Sequence, residues 1–593
     1  MKKTVLTSLL VLALTYHPAG AQGISDLLDG CYAYNRFWGD VLVARNGKII
    51  FQQCYGFADR EKGIRHDTSS LFNLASVAKT MTAAAVFKLH DEGKLSVFDR
   101  VDKYIPGFID DDTDSITILN LLNHTSGLPV HPSHSGGTGQ DGLVLSNHEP
   151  VTLEQMISQF RNDKLKSRPG STFEYNNFGY IFLAYIIEKV SGLDYFSYLN
   201  TAIFSKAGMN HTHSQLDLPG SEASGHTGIG TGHNPPVKNP VHPSWYTGGA
   251  GIYSTTGDLF RFLQALFSSQ LFSENSLKLM LDSCVHTHKG NILWTPGWQK
   301  NEVDGHEWYS HGGSIEGFSA RIGYIPEENT AIVILSNLVR DFHTEGISSV
   351  NFSFVDHFAE DIIRILDGGT VACLPVPKGK ADHKLSGEYR IDDTHSINIS
   401  YRNDSLFLNT GTDDGFTLFD YSLNREIMDT SNDYKTCKIF TQALENNNFD
   451  GFYGYADDLM RRVIFNPNDI HKITDFWLGV FPRTGKYISS NVCDKNIQPG
   501  HVDYSLAFHF EEAEVTMQLS FNDEGLINGF YILRIIPRCH IRSVHLVPTG
   551  KHEYFVDGYS YGGYDDFRIK YDKHQRSFRF DAGKTSFQAS RTG

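Results

Sequence analysis

The hydrophobic pattern changes period partway along the chain, and the change divides it. From about residue 30 to 365, helix-like and strand-like patterns are mixed. Gly39-Asp40-Val41-Leu42-Val43-Ala44 reads as a strand, Asn46-Gly47 as a two-residue hairpin turn, and Lys48 to Gln53 as the returning strand. From about Ala75 to His90 the residues are small or apolar with little polar face, which predicts a buried helix. Further helices are expected at about 153–162, 178–191 and 257–268. Thr330 to Ser336 predicts a buried strand, and 352–366 an amphipathic helix that closes the domain. Two stretches, His131 to Pro150 and His211 to Tyr246, are rich in Gly, Pro, Ser and His and read as long loops, the first a candidate lid.

Beyond Gly368-Gly369, a segment containing Pro375, Pro377 and Gly379 reads as a linker. After it the pattern has period two. Ile397, Ile399 and Tyr401 alternate, turn at Asn403-Asp404, and return through Leu406 and Leu408; Val515, Met517, Leu519 and Phe521 alternate later. A Gly-x-Tyr strand opening occurs at Gly387-Glu388-Tyr389 and again at Gly485-Lys486-Tyr487. Antiparallel sheet or barrel follows, read as two successive β modules over 383–475 and 476–593. The whole division is then 1–21, a signal segment; 22–367, an α+β domain; 368–382, a linker; and the two modules.

Composition narrows the function classes. Of 593 residues 40% are hydrophobic and 20% charged, far too apolar for a disordered chain. Lys and Arg total 52 against 68 Asp and Glu, a formal charge of −16 with no basic block, which argues against a nucleic-acid partner. Only the N-terminus carries a long apolar run. Lys2 and Lys3, the stretch Val5 to Leu14, and Ala19-Gly20-Ala21 together read as a cleavable export signal, too short to span a bilayer. A mature chain from Gln22, periplasmic or secreted and without a membrane span, is the expectation. Seven cysteines without any C-x-x-C argue against a thiolate zinc site and require no disulfide framework. His211-Thr212-His213 and His286-Thr287-His288 lack an H-E-x-x-H or a matching carboxylate, so no metal and no other cofactor is expected.

Three segments carry candidate chemistry. Ser76-Val77-Ala78-Lys79 opens the buried helix, where three-residue spacing puts both side chains on one face. The helix N-terminus favours developing negative charge, and an apolar setting lowers a lysine's pKa so that it can share a proton with the hydroxyl. Ser-x-x-Lys arises about twice by chance in a chain this long; here it occurs once. Tyr175-Asn176-Asn177 follows Pro169-Gly170 and precedes a helix pattern, offering a proton-shuttling phenol and an amide donor at Asn177, or simply a helix cap beside a packed tyrosine. His311-Gly312-Gly313-Ser314 precedes Gly317-Phe318-Ser319, and its glycines permit close backbone approach to a strand edge. The plainer alternative is a hairpin turn with a surface histidine. His226-Thr227-Gly228 looks like a decoy in a loop rather than a strand.

In this order the three segments resemble the active-site set of the serine β-lactamase and penicillin-binding protein superfamily. Phe72 to Lys79, Leu121-Leu122-Asn123-His124-Thr125-Ser126-Gly127-Leu128, Ala207-Gly208-Met209, Gly248 to Ser254 and Gly257-Asp258-Leu259 resemble its signatures too. The resemblance covers residues 30–365 and implies an α+β, β-lactamase/transpeptidase-like domain, an antiparallel sheet flanked by helices with a helical subdomain. By the same resemblance Ser76 is the acylated nucleophile, Lys79 its proton partner, Tyr175 the base of the class C-like branch, and Asn177 a substrate ligand. Ser76 and Ser314 would supply oxyanion N–H groups, with His311, Gly312 and Gly313 lining the substrate.

His311-Gly312-Gly313 stands where many members have Lys-Thr-Gly. A histidine, with an unperturbed pKa of about 6.5, supplies much less charge than lysine at neutral pH. The departure shifts the expectation from β-lactamase towards D-aminopeptidase, DD-peptidase or esterase, and a catalytic domain followed by two β modules resembles the D-aminopeptidase architecture. The expected partner is a small peptide, amide or ester, cell-wall material among the candidates. The alternatives are a class C-like β-lactamase and a non-catalytic penicillin-binding receptor. Oligomeric state is not specified by the sequence.

Overall fold

The computed structural model describes residues 19–591 except 35, 108–115, 130–148, 161–162, 228–235, 238–240, 288–291, 340–353, 372, 374–375, 379, 391–395, 403–404, 410–430, 446–454, 456–486, 499–500, 511–512, 523, 538–543, 551–552, 558–566 and 583–584. The expected signal segment up to residue 18 and nearly all of the candidate lid at 131–150 lie outside the described residues.

An eight-stranded antiparallel sheet organises the first domain. Its strands are β1 (Gly39–Arg45), β2 (Lys48–Tyr55), β9 (Val285–His286), β10 (Leu293–Thr295), β11 (Trp298–Val303), β12 (His306–Ile315), β13 (Phe318–Ile325) and β14 (Thr330–Ser336), in the order β2-β1-β14-β13-β12-β11-β10-β9. The β1–β2 hairpin turns at Asn46 and Gly47, both with positive φ (53° and 70°), the conformation that an Asn-Gly turn favours. Among the described residues, seven short strands between β2 and the linker pair outside this sheet. They are β3 (Phe57–Asp59), β4 (Ile64–Arg65), β5 (Phe72–Asn73), β6 (His213–Ser214), β7 (His226–Thr227) and β8 (Ile252–Ser254), with β15 (Leu338–Val339) at the far end.

The sheet separates two cores, which is why its central strands read as unbroken apolar runs. Leu42, Ala44, Ala331, Val333 and Leu335 face the helical side, while Val41, Val43, Ile332 and Ile334 face the other. The second face is covered by helix α1 (Ala19–Ala33) and the helix Phe354–Leu366. On the helical side, α2 (Ala78–Asp91) is buried along nearly its whole length. Against it packs α5 (Asn177–Ser191), on which α3 (Ile118–Leu122) and α4 (Leu153–Ser158) pack in turn. The helices expected at 153–162, 178–191 and 257–268 appear as α4, α5 and Thr256–Phe267.

His226-Thr227 differs from expectation. It is not a loop segment: β7 pairs in parallel with β15, and His226 is buried.

The C-terminal region is antiparallel, as its period-two pattern predicts. Strands β16 (Gly387–Arg390), β17 (Ser396–Arg402), β18 (Ser405–Asn409), β23 (Val544–Gly550), β24 (Glu553–Asp557), β25 (Phe567–Asp572), β26 (Ser577–Ala582) and β27 (Thr585–Arg591) form a closed barrel. Between β18 and β23 the chain makes a four-stranded meander, β19 (Tyr487–Gln498), β20 (His501–Phe510), β21 (Ala513–Asn522) and β22 (Ile527–Pro537), with the helix Asn432–Glu445 packed on it. The division at 475/476 into two successive modules is therefore replaced by one module carried inside another. The physical reason is the barrel core. Ile397, Ile399, Leu406 and Leu408 from the early segment bury against Leu546, Tyr554, Phe578 and Ala589 from the late one, and neither set fills a barrel alone.

Candidate active site

Ser76 lies in a 3-10 turn, Ala75–Val77, that leads directly into α2. The residue before it, Ala75, has φ of 45°, a conformation costly for a side-chain-bearing residue and held here by a hydrogen bond from its N–H to Asn73 Oδ1 at 2.9 Å. Strain of this kind concentrates where a reactive side chain must be presented in one orientation. Nothing in the sequence marks Ala75 for it.

Lys79, one turn on, is buried and donates to Ser76 Oγ at 3.1 Å and to the Gly249 carbonyl at 2.8 Å. Burial alone drives its amine down to about 7, since among the described residues no carboxylate faces it to hold the charge. The Ser76 hydroxyl is also hydrogen-bonded to the Tyr175 phenol, and Lys79 Nζ lies 5.2 Å from the centre of that ring. Burial raises the Tyr175 phenol well above its ordinary value, and the bond from Ser76 offsets this only in part. The three residues thus form one chain, amine to hydroxyl to phenol. At neutral pH the phenol keeps its proton and the amine is close to half-neutral.

The Gly248-Gly249 signature acquires a physical reason here. A Cβ on Gly248 would sit 2.3 Å from the Tyr180 carbonyl oxygen of α5, and its φ of 88° is one that only glycine adopts freely. Its own carbonyl accepts from Thr82 Oγ1 at 2.6 Å. The turn therefore presses against α2 and α5 and delivers the Gly249 carbonyl to Lys79. In the sequence these glycines read as a signature without a role.

His311, Gly312, Gly313 and Ser314 lie on β12, not in a hairpin turn, and His311 is buried. β11 pairs with β12 only as far as Ser310, whereas β13 pairs along the whole of 309–315. Gly313 approaches the nucleophile turn so closely that a Cβ would lie 2.3 Å from Leu74 O and 3.0 Å from Ser76 N. This close approach brings the main chain of the turn and that of the strand together, the geometry that an oxyanion hole requires. Burial, reinforced by the Lys79 charge, pushes His311 down to about 3, so its imidazole is neutral throughout the physiological range. Its Nδ1 is 2.6 Å from the Gly312 carbonyl, which fixes the proton on Nδ1 and leaves Nε2 an acceptor.

Asn177 is the first residue of α5 and is exposed; the helix cap is its neighbour Asn176, whose side chain accepts from the N–H groups of Phe178 and Gly179. Two aromatic residues complete the site. Trp294, on β10, meets Tyr175, His124 and His311 at ring-centre distances of 5.4, 5.1 and 5.4 Å. His124, from the Leu121–Leu128 signature, meets Tyr175 at 4.4 Å. Trp294 had no sequence signal, and His124 was visible only as part of a signature. For metal binding, the described residues bring together His306, Glu328 and Asp367 away from this site. There His306 Nε2 pairs with Asp367 at 2.7 Å and Arg45 with Glu328 at 2.7 Å, an ion-pair network that needs no ion. Among the cysteines whose side chains are described, Cys31, Cys54, Cys284, Cys373 and Cys437, there is no disulfide.

Fold and site together define a β-lactamase/transpeptidase-like protein with a Ser-Lys-Tyr constellation. Comparison with known proteins agrees. The Beta-lactamase family model matches residues 27–347. Penicillin-binding protein 4* of Bacillus subtilis (strain 168) is 32% identical over 328 residues, 52% of this chain and 70% of that protein. Among solved structures, the octameric penicillin-binding protein homologue from Pyrococcus abyssi is similar over 86% of this chain and 97% of its own, with a TM-score of 0.52 and 18% identity. The D-amino acid amidase of Ochrobactrum anthropi SV3, complexed with D-phenylalanine, is similar over 59% of this chain and 99% of its own, with a TM-score of 0.50 and 21% identity. The last two likenesses are of fold. The chain belongs to the Beta-lactamase family, a family of serine hydrolases.

Proposed function

We propose that the protein hydrolyses a small peptide, amide or ester through an acyl-enzyme on Ser76. The observation that carries this reading is the hydrogen-bonded run Lys79–Ser76–Tyr175, with the amine lowered and the phenol raised. In this mechanism neutral Lys79 keeps one N–H on the Gly249 carbonyl and takes the Ser76 proton as Oγ attacks the substrate carbonyl. Tyr175, still protonated, gives its proton to the leaving nitrogen or oxygen and is refilled from Lys79. The same groups then work in reverse on water. The N–H groups of Ser76 and Ser314 hold the oxyanion, Asn177 meets the substrate amide, and His311, Gly312 and Gly313 border the acyl group.

Neutral His311 favours substrates that need no cation at this position, which supports an amide or ester over a β-lactam with its obligatory carboxylate. Export through the signal segment 1–21 is part of the same proposal, supported by the Lys2-Lys3 flank and Ala19-Gly20-Ala21. N-terminal sequencing of protein from the producing cell's envelope fraction and medium is expected to begin at Gln22.

The central test is hydrolysis of D-aminoacyl amides and short-chain esters, with intact-mass detection of the acyl adduct. Wild type is expected to turn over and to carry the adduct, and Ser76→Ala to do neither. Turnover that survives Ser76→Ala within tenfold would refute the mechanism.

A further inference from the structure

Tyr175 is the last residue before the cap of α5, a place where backbone is ordinarily free to shift. Here both of its chain neighbours are tied to a single residue. The N–H of Glu174 donates to the His124 carbonyl at 2.8 Å, and the N–H of Asn176 donates to His124 Nδ1 at 3.1 Å. Between these two bonds the Tyr175 ring lies on the His124 ring, centres 4.4 Å apart and planes 36° from parallel. His124 adopts φ of 59°, an uncommon conformation for a residue with a side chain, and is fully enclosed. Its loop holds the same segment at further points. Thr125 O accepts from Gly170 N–H, and the carbonyls of Leu128 and Pro129 accept from the Asn176 amide.

We propose that His124 is a positioning residue, a clamp that grips the backbone on both sides of Tyr175 and its ring in between, so that the phenol oxygen stays on Ser76. The inference rests on the acyl-enzyme reading above and deepens it. Because Nδ1 accepts a backbone N–H, the ring proton sits on Nε2. A cationic ring would set two donors against each other at Asn176, so the clamp works only with neutral imidazole.

A role exercised through Tyr175 has a signature that general support of the fold does not: it vanishes when Tyr175 is removed first. The experiment is a double-mutant cycle in the full chain on the same amide and ester substrates, with Ser76→Ala as blank. His124→Phe keeps a ring and loses the acceptor, and is expected to lower kcat about 10²-fold with KM little changed, the scale of a small misplacement of a reacting group. His124→Asn restores an acceptor oxygen, tolerates positive φ, and is expected to recover most of that loss. In a Tyr175→Phe background, either substitution is expected to cost less than about twofold. Equal losses in both backgrounds would overturn the clamp, and so would an unchanged kcat in His124→Phe. Should His124→Phe not fold, His124→Leu, which likewise lacks the acceptor, takes its place in the cycle with Tyr175→Phe under the same criterion. Turnover surviving Ser76→Ala removes the reaction on which both proposals stand, whereas additivity with an inert Ser76→Ala removes the clamp alone.

Discussion

The two large regions of this chain bury different things. Beneath and within the eight-stranded sheet, the enclosed side chains include Lys79, Asn123, His124, Asn176 and His311. The barrel encloses Tyr389, Ile397, Ile399, Leu406, Leu408, Leu546, Tyr554, Phe578 and Ala589, and its one buried polar side chain among the described residues is Ser577. Buried polar groups cost stability unless they are satisfied, and each additional one narrows the arrangements that satisfy the rest. At the site that cost is tolerated, even to the point of leaving His124 Nε2, His311 Nε2 and Trp294 Nε1 enclosed without a partner among the described residues. Among the described residues the barrel interior is otherwise apolar, closed around by its strand ladders. Chemistry and scaffolding can thus be told apart from what each core conceals.

The sharpest way to break the contrast is to disturb the polar core without changing any polar group. Gly313→Ala puts a methyl 2.3 Å from Leu74 O and pushes the strand away from the Ser76 turn. Loss of about 10²- to 10³-fold in kcat is expected, the scale of a missing oxyanion donor, in a protein that still folds. Acid titrates the same core. Because burial lowers Lys79 to about 7 and only the neutral amine accepts the Ser76 proton, kcat/KM should climb with pH and level off above about 7. Below that it should fall about tenfold per unit; a flat profile from pH 5 to 8 would remove Lys79 as proton acceptor.

The barrel should answer in stability instead of rate. Phe578→Ala, which removes a fully enclosed ring packed on Tyr389 and Tyr571, is expected to destabilise the barrel by about 3–5 kcal/mol by thermal unfolding, with kcat unchanged. At the small end, Lys570→Ala breaks a 2.8 Å pair with Glu553 in which both side chains are at least half exposed, and should cost less than about 1 kcal/mol.

What the sequence made legible follows the range of the interaction. Asn46-Gly47, the run Thr330 to Ser336 and the Ser76–Lys79 spacing depend on neighbours a few residues away, and they stand where the pattern puts them. Tyr175 and His311 were recognisable by motif, yet their neutrality comes from burial by distant segments, which no local pattern contains. Trp294 carries no signature at all; it belongs to the site because β10 pairs with β11, which in turn pairs with β12. The module boundary was missed for the same reason. Leu406 pairs with Leu546 across an entire intervening sheet, and alternation along a strand says nothing about which strand lies next to it.

The circular arrangement of both regions has a consequence for how the chain is made. In the first, β1 pairs with β14, and α1 packs against the helix that ends at Leu366; in the second, β16 pairs with β27. Each region is thus sealed by its final element and cannot be completed from a partial transcript of itself. Until the late strands are in place, β16 lacks its partner β27 and β18 lacks β23, so a chain without its last strands presents two unpaired edges open to pairing with the wrong strand.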